Sequence, residues 1–253
     1  MNVWILAAGR GSRLNQLTEE RPKCLVELMG RPLPDWQLES LRAGGAARIG
    51  MVVGYHRDLI DRPEIEFIEN PRWPETNMVY SLCCAEAAFG ESPFLVSYSD
   101  ILYPPETAAN LIACDADIAI TYDRQWESLW RTRMEDPLAD AETFRCDENN
   151  IVTEIGGQPE TIAEIQGQFM GLLRFTGAGW KRVRKVIEGL PPEEVDTLQM
   201  TTLLAKLITA GHEVTGVPVD GRWVEVDSEQ DIACYEAALT GQNVGAWHHD
   251  WRS

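Results

Sequence analysis

The sequence predicts an α/β fold built on a mostly parallel, Rossmann-like sheet flanked by helices. Three observations carry that reading. Short apolar runs alternate with helix-period segments through the first half of the 253 residues. The first run, Val3-Trp4-Ile5-Leu6, empties into a glycine-rich turn, Ala7-Ala8-Gly9-Arg10-Gly11-Ser12-Arg13. Polar residues follow later runs at Gly54-Tyr55 and Ser99-Asp100, the position at which parallel strands offer their carboxyl ends to ligands.

In chain order, strands are expected at 3–6, 49–53, 65–68, 94–97 and 118–121, with helices near 12–17, 34–44, 77–88 and 105–113 between them. Right-handed crossovers then make the sheet mostly parallel. The pattern changes from about 123. A polar, aromatic stretch is followed by a hairpin around Asp147-Glu148-Asn149-Asn150 and a strand at 169–175. Helices near 177–188 and 197–210, strands at 213–219 and 223–226, and a terminal helix from Ser228 complete the chain. Without a repeat or a low-complexity linker, 1–253 reads as a single domain, with a substrate-covering excursion at about 123–168.

Charge narrows the partners. The net charge is −18, yet residues 1–31 hold five basic against three acidic side chains, a local +2 that leaves −20 for the remainder. An acidic body argues against a nucleic-acid backbone as partner. The six cysteines are scattered, with no Cys-x-x-Cys pair, and read as reduced thiols; the four histidines show no zinc-ligand spacing with them. His248-His249 could bind a metal only adventitiously. No apolar run approaches the ~20 residues that span a bilayer, so the expectation is a cytoplasmic protein without membrane contact.

The net-basic stretch coincides with the glycine turn. Small residues let a ligand approach the backbone N–H groups, which can cradle phosphates if a helix follows, and Arg10, Arg13 and Lys23 add positive charge there. That suggests a nucleoside triphosphate site. No Gly-Lys-Ser/Thr closes a P-loop, and the third glycine of the dinucleotide fingerprint is missing. Asp100 follows the run Phe94–Ser97 and Asp227 follows Trp223–Val226, so two distant carboxylates at strand ends could hold Mg²⁺, which uses few protein ligands and fills its other positions with water and phosphate oxygens. Each Asp alone could instead serve a turn or cap, Asp227-Ser228 directly before a helix especially.

Taken together, Leu6-Ala7-Ala8-Gly9-x-Gly11-Ser12-Arg13-Leu14, Pro22-Lys23, Asp100 and Glu225-Val226-Asp227-Ser228-x-x-Asp231 resemble the nucleotidyltransferases of the sugar-1-phosphate and phosphocholine type, over nearly the whole chain. Asn70-Pro71-Arg72-Trp73 and Thr76-Asn77-Met78-Val79-Tyr80-Ser81-Leu82 are similar to the phosphocholine and phosphonate cytidylyltransferase branch. Trp126 through Leu129-Trp130-Arg131-Thr132-Arg133, Asp136-Pro137-Leu138, Asp140-Ala141-Glu142-Thr143 and Gly167-Gln168-Phe169-Met170-Gly171-Leu172 are similar to cytidylyltransferases that activate phosphoglutamine for capsule modification.

The resemblance implies a GT-A-like nucleotidyltransferase fold and transfer of CMP from CTP to a phosphate or phosphonate oxygen, with pyrophosphate released. Leu6, Ala7, Ala8 and Gly9 would then serve the base and sugar, and Gly11, Ser12 and Arg13 the β- and γ-phosphates. Lys23 would contact the α-phosphate and acceptor, forming the catalytic pair with Arg13. Asp100 and Asp227 would hold Mg²⁺, and Gly54, Tyr55, Asn77 and Ser81 would line the nucleotide pocket. Thr76 or Asn77 also suits a plain helix N-cap.

For the acceptor, Trp126 and Trp130 lie four apart, on one face of a helix, with Arg131 and Arg133 beside them. Aromatic faces with an acid such as Asp136, Glu142 or Glu164 would suit a choline-like or aminoethyl cation. The arginines favour a carboxylate or second phosphate. Core tryptophans and solvated arginines remain the competing reading. The expected acceptor bears both amine and acid groups and contacts Arg131 or Arg133. The aromatic tail Trp247-His248-His249-Asp250-Trp251 would bury against the body or against a second subunit, which leaves a homo-oligomer open. A sugar-1-phosphate nucleotidyltransferase using another nucleotide and a non-catalytic nucleotide-binding regulatory module are the alternatives. The joint presence of Arg13, Lys23, Asp100 and Asp227 favours catalysis.

Overall fold

The computed structural model describes residues 1–241 and 247–252. Its seven-stranded sheet comprises β1 (Asn2–Ala7), β2 (Arg48–Val53), β3 (Glu66–Glu69), β4 (Phe94–Tyr98), β5 (Ile118–Asp123), β6 (Gln168–Phe175) and β7 (Thr215–Val219). The spatial order is β7-β5-β6-β4-β1-β2-β3. Only β6 runs antiparallel to its neighbours, β4 and β5. The expected mostly parallel sheet is therefore present.

Alternation along β1 builds two cores. Val3, Ile5 and Ala7 face one layer, with Leu38 and Leu41 of α1 (Leu33–Ala43) and Ala108 and Leu111 of α3 (Pro105–Ala113). Trp4 and Leu6 face the other. Val79 and Leu82 of α2 (Met78–Cys84), Trp180, Val183 and Ile187 of α5 (Gly177–Glu188), and Leu203, Leu204 and Leu207 of α7 (Met200–Thr209) pack there. Burial on both faces is why β1 and β4 read as continuous apolar runs.

Several elements differ from expectation. The helix expected near 12–17 is a 3₁₀ segment, Ser12–Thr18, behind a left-handed Gly11 and broken at Asn15 (φ 43°, ψ −116°). Thr18 Oγ1 bridges back to the carbonyls of Gly11 and Asn15, so the turn closes on itself instead of launching an α-helix. The helix expected over 197–210 is two helices, α6 (Pro192–Thr197) and α7, because Leu198 and Gln199 are extended. The expected helix over 77–88 likewise divides into α2 and a short helix at Glu86–Phe89.

The strand expected at 223–226 lies outside the main sheet. Val224–Glu225 pairs antiparallel with Ile101–Leu102, a two-residue strand without a sequence signal of its own. Residues 124–167 leave the sheet after Asp123 and return at Gln168, which is paired with Asp123 itself. This loop-out carries α4 (Trp126–Arg133) and a hairpin of Phe144–Cys146 with Val152–Ile155, whose turn is fixed by Asp147 Oδ1 accepting the N–H groups of Asn149 and Ile151.

The chain ends on α8 (Glu229–Thr240) and the aromatic tail. Trp251 packs edge-on against Trp36 at 5.7 Å, and Trp247 lies against Tyr235. His249 is fully buried, its Nε2 2.8 Å from Ser128 Oγ and its Nδ1 3.2 Å from the Trp223 carbonyl. The tail thus buries against the body. All six cysteines are free. Among the described residues no helix is long and apolar enough to cross a membrane. Because Trp251 is only 4% exposed, Trp251→Ala is expected to lower the free energy of unfolding by about 3 kcal/mol, read from urea denaturation curves.

Candidate active site

The site assembles where three chain segments cross the carboxyl ends of β1 and β4. Lys23 opens a one-turn 3₁₀ helix, Lys23–Leu25, whose Cys24 is buried in the core beneath it. Its ammonium lies 2.5 Å from Asp100 Oδ2 and also donates to Asp227 Oδ1. The glycine turn shapes itself around this lysine. Gly11 has φ +76°, and a Cβ there would sit 2.6 Å from the Lys23 Cβ, so position 11 needs both the left-handed backbone and the missing side chain.

The small ladder brings the two distant aspartates together. Besides the pairing of Ile101–Leu102 with Val224–Glu225, the Val226 N–H donates to the Asp100 carbonyl at 2.8 Å. Asp227 is then fixed from behind. Asp231 Oδ2 accepts the N–H groups of both Asp227 and Ser228, while Ser228 caps α8 by accepting from Asp231, which explains the Asp-Ser-x-x-Asp spacing as a capping box.

Ligand atoms of Asp100, Glu225 and Asp227 lie within 4.8 Å of one another. Burial disfavours Lys23's charge, but Asp100, Asp227 and Glu225 outweigh it and hold its pKa above the ordinary lysine value. Burial alone would raise Asp227; Lys23, Arg13 and Arg133 instead bring it below the ordinary carboxylate value. Burial and the neighbouring Asp227 and Asp100 push Glu225 well up, against the opposing charges of Arg133 and Lys23. An all-oxygen donor set suits a hard divalent cation, and Asp100 Oδ1 is buried without a hydrogen-bond partner, so the residues present fit Mg²⁺.

The cleft has two lobes that share Tyr98 and Met78. Leu6, Ala8, Gly9, Gly11, Lys23, Asn77, Ser81 and Asp100 line the first, together with Trp73, Thr76 and Ser99, which the sequence reading did not single out as ligand contacts. Ala7 is buried in the core at the end of β1. Ser12, Gly54 and Tyr55 are also outside this lining. Gly54 instead lets Trp73 close in, since a Cβ there would be 2.6 Å from that ring. Tyr55 braces the turn, donating its N–H to the Ala8 carbonyl and its hydroxyl to the carbonyls of Thr18 and Glu19, with its ring against Trp73.

Arg13, Asp227 and Trp130 line the second lobe, with Asp140, Glu142, Gln168, Phe169, Gln199, Thr201 and Glu225. Arg13 is 67% exposed at its mouth, with Nη2 3.3 Å from Asp227 Oδ1. The acceptor set expected from sequence is largely displaced. Trp126 lies in the core, edge-on to Trp130. Arg131 pairs with Glu127 one turn back, near solvent. Glu164 closes an exposed capping box with Thr161. Arg133 is buried, contacting Asp231 at 3.0 Å and Asp227 and Glu225 at 3.4 Å. The signal was present: 126, 129, 130 and 133 follow the i, i+3, i+4, i+7 rule, which assigns Arg133 to the tryptophan face and Arg131 to the other. The reciprocal bonds between the Gln168 amide and the Glu142 backbone had no such signal.

Residues 3–154 match the model of the MobA-like NTP transferase domain. The chain belongs to that family. It is 33% identical over 248 residues to the CTP:phosphoglutamine cytidylyltransferase of Campylobacter jejuni, covering 92% of this chain and 98% of that one. It is 30% identical over 247 residues to the 2-aminoethylphosphonate cytidylyltransferase of Lancefieldella rimae, covering 93% and 92%. The structure of the CTP:phosphocholine cytidylyltransferase from Streptococcus pneumoniae has the same fold, with a TM-score of 0.73 at 21% identity over 94% of this chain and 99% of that one. The expected fold and membership are thus met, and this MobA-like NTP transferase is an enzyme of the nucleotidyltransferase kind.

Gly11→Ala tests the fit between turn and lysine. The left-handed backbone alone costs an alanine about 1–2 kcal/mol, and the new methyl must displace Lys23. The expected outcome is a loss of stability of that size in denaturant melts, with pyrophosphate release at saturating substrate falling at least about tenfold.

Proposed function

We propose that this enzyme transfers CMP from CTP to a phosphate or phosphonate oxygen of a small metabolite. The convergence of Lys23, Asp100 and Asp227 at the junction of two lobes carries this reading. The first lobe would take the nucleotide, its phosphates over Gly9–Gly11, and the second the acceptor. The acceptor oxyanion attacks the α-phosphorus in line, the new O–P bond forms as the bond to the bridging oxygen breaks, and pyrophosphate leaves with that electron pair.

Lys23 acts as a fixed positive charge, because its carboxylate neighbours keep it protonated. An ammonium about 4 Å from a phosphate oxygen is worth roughly 4 kcal/mol at an effective dielectric of about 20, before desolvation is offset. Arg13, exposed at the mouth and paired with Asp227, would turn to the β- and γ-phosphates. Mg²⁺ held by Asp100 and Asp227, with Glu225 beside them, would neutralise phosphate charge as it shifts toward the leaving group.

The segment looped out between β5 and β6 supplies Trp130, Asp140 and Glu142, and we read it as the acceptor-binding excursion. Its chemistry refines the acceptor. Arg13 is the cation among the described residues lining this lobe, while Asp140 and Glu142 face it with the amides of Gln168 and Gln199. That lining favours a tail carrying ammonium or amide N–H donors, as in aminoalkylphosphonates, phosphoglutamine or phosphocholine, whereas Arg131 offers no contact for a second acid.

The deciding experiment is pyrophosphate release across the four nucleotides with phosphocholine, 2-aminoethylphosphonate, phosphoglutamine and hexose 1-phosphates. CTP with one amine- or amide-bearing acceptor is expected to lead. A lead for hexose 1-phosphate with another nucleotide would assign sugar activation instead, and no release with Mg²⁺ present would make the chain a binding module. Chelation should abolish turnover and added Mg²⁺ restore it. Lys23→Ala should lower kcat by about 10² to 10³ with CTP saturating, the scale of one preorganised charge. In initial-rate kinetics, Glu142→Gln should raise the acceptor KM about tenfold with the CTP KM unchanged, and Arg131→Ala should leave both within about twofold.

A further inference from the structure

The buried face of α1, with Leu33, Pro34, Leu38 and Leu41, also carries Gln37, which is only 1% exposed. Its Nε2 donates to the Tyr98 carbonyl and to the Ile101 carbonyl, each at 2.7 Å. Both partners can only accept, so the nitrogen must face them, and Oε1 is left buried without a partner. Burying an amide with its oxygen unpaired costs stability, so packing alone does not account for this side chain. The two bonds enclose a four-residue turn, Tyr98 to Ile101, in which β4 ends and the two-residue strand Ile101–Leu102 begins. Asp100 lies inside that turn.

We propose that Gln37 is a positioning residue for Asp100: it clamps the carbonyls at both ends of the turn, so that the carboxylate is presented to the cation site from a fixed backbone. The inference rests on the Mg²⁺ and nucleotide readings above. From the other side the Val226 N–H donates to the Asp100 carbonyl at 2.8 Å, which ties the turn to the segment carrying Glu225 and Asp227. Gln37 supplies the second anchor, from α1. The Tyr98 carbonyl has another donor in Ser97 Oγ at 3.0 Å, whereas Gln37 is the side chain that reaches across from one end of the turn to the other. It lines neither lobe of the cleft, so its effect on a ligand passes through the turn. Side chains that hold a metal ligand in place set how well the ligand can serve the ion, even where they never touch it.

The test separates the metal-dependent part of CTP binding from the rest. The Kd for CTP is measured by calorimetry in chelator and again in excess Mg²⁺, and the ratio of the two is the gain in affinity that the metal supplies. Gln37→Met keeps the length of the side chain and removes both donors. It should shrink the gain about tenfold, or abolish it where it is smaller, while the Kd in chelator stays within about threefold. Ser40→Ala is the control, because Ser40 is buried on the same helix and donates to the Tyr103 carbonyl at 2.7 Å, beyond the turn. It should lower stability in urea melts and leave the gain in place. If Gln37→Met does not fold, Gln37→Glu is read instead, since a carboxylate of the same shape has no pair of N–H groups to give, and the same loss is expected. A gain within about twofold of wild type in the folded Gln37 variant, or an equal loss in Ser40→Ala, overturns the proposal while the wild-type gain keeps the metal reading. Wild-type enzyme that binds CTP equally with and without Mg²⁺ removes that reading and this one with it.

Discussion

Packing like charges together is the constraint around which this molecule is arranged. Asp100, Glu225 and Asp227 place carboxylate oxygens within 4.8 Å of one another in a partly buried cleft of an already acidic protein. Unopposed, such a cluster would repel itself and draw protons. Lys23 faces it from the first lobe and Arg133 from the core, taking Asp227 Oδ2 while Lys23 takes Oδ1. The two oxygens of one aspartate are therefore divided between a cation in the cleft and a cation in the core. The backbone holds what the charges would push apart, through the ladder of Ile101–Leu102 with Val224–Glu225 and the Asp231 cap on α8.

The loop-out between β5 and β6 serves the same cluster. α4 lays Trp126, Leu129, Trp130 and Arg133 on its buried face, so one helix supplies a wall of the second lobe and the hidden counter-charge, with the Arg133 guanidinium 5.1 Å from the Trp130 ring. The C-terminal tail then closes over this layer. His249 ties Ser128 of α4 to the Trp223 carbonyl, two residues before Glu225. Of the two readings the aromatic tail allowed, burial against the body or against a second subunit, the packing shows the first, and the tail is part of the support beneath the site.

The main sheet was legible because its strands are buried on both faces and bounded by turn residues, which gives apolar runs of the right length. The glycine turn, Lys23 and the aspartates were legible as types and, through resemblance, as a set. Glu225 belongs to that set by geometry, although its position inside a strand gave it no ligand signal. Trp126, Arg131, Arg133 and Glu164 sit differently from expectation for a physical reason. Charge next to aromatics suggests recognition, but on α4 the period decides, and a guanidinium can be buried when carboxylates from distant segments surround it. Those partners lie more than 90 residues away, and sequence spacing carries no trace of them. The 3₁₀ turn at 12–18 was hidden similarly, since its length matched a helix and only the left-handed Gly11 and kinked Asn15 reveal otherwise.

One short piece of chain also ties the walls of the two lobes together. Arg72 binds Asp196 through both guanidinium branches, and the Asn77 N–H donates to the Asp196 carbonyl at 2.7 Å, so the end of α6 sets one wall of the first lobe. Two residues on, the extended break at Leu198–Gln199 turns the chain into the second lobe, where Gln199, Met200 and Thr201 line the cleft and Thr201 donates to Glu142. A continuous α-helix over 197–210 could not make that turn. The break thus puts a hydrogen-bonded strut across the reaction axis, with Asn77 at one end and Glu142 at the other. On the proposed reaction, displacement at phosphorus demands alignment of attacking and leaving oxygens, and such a strut would serve it by holding the two walls of the cleft at one fixed separation.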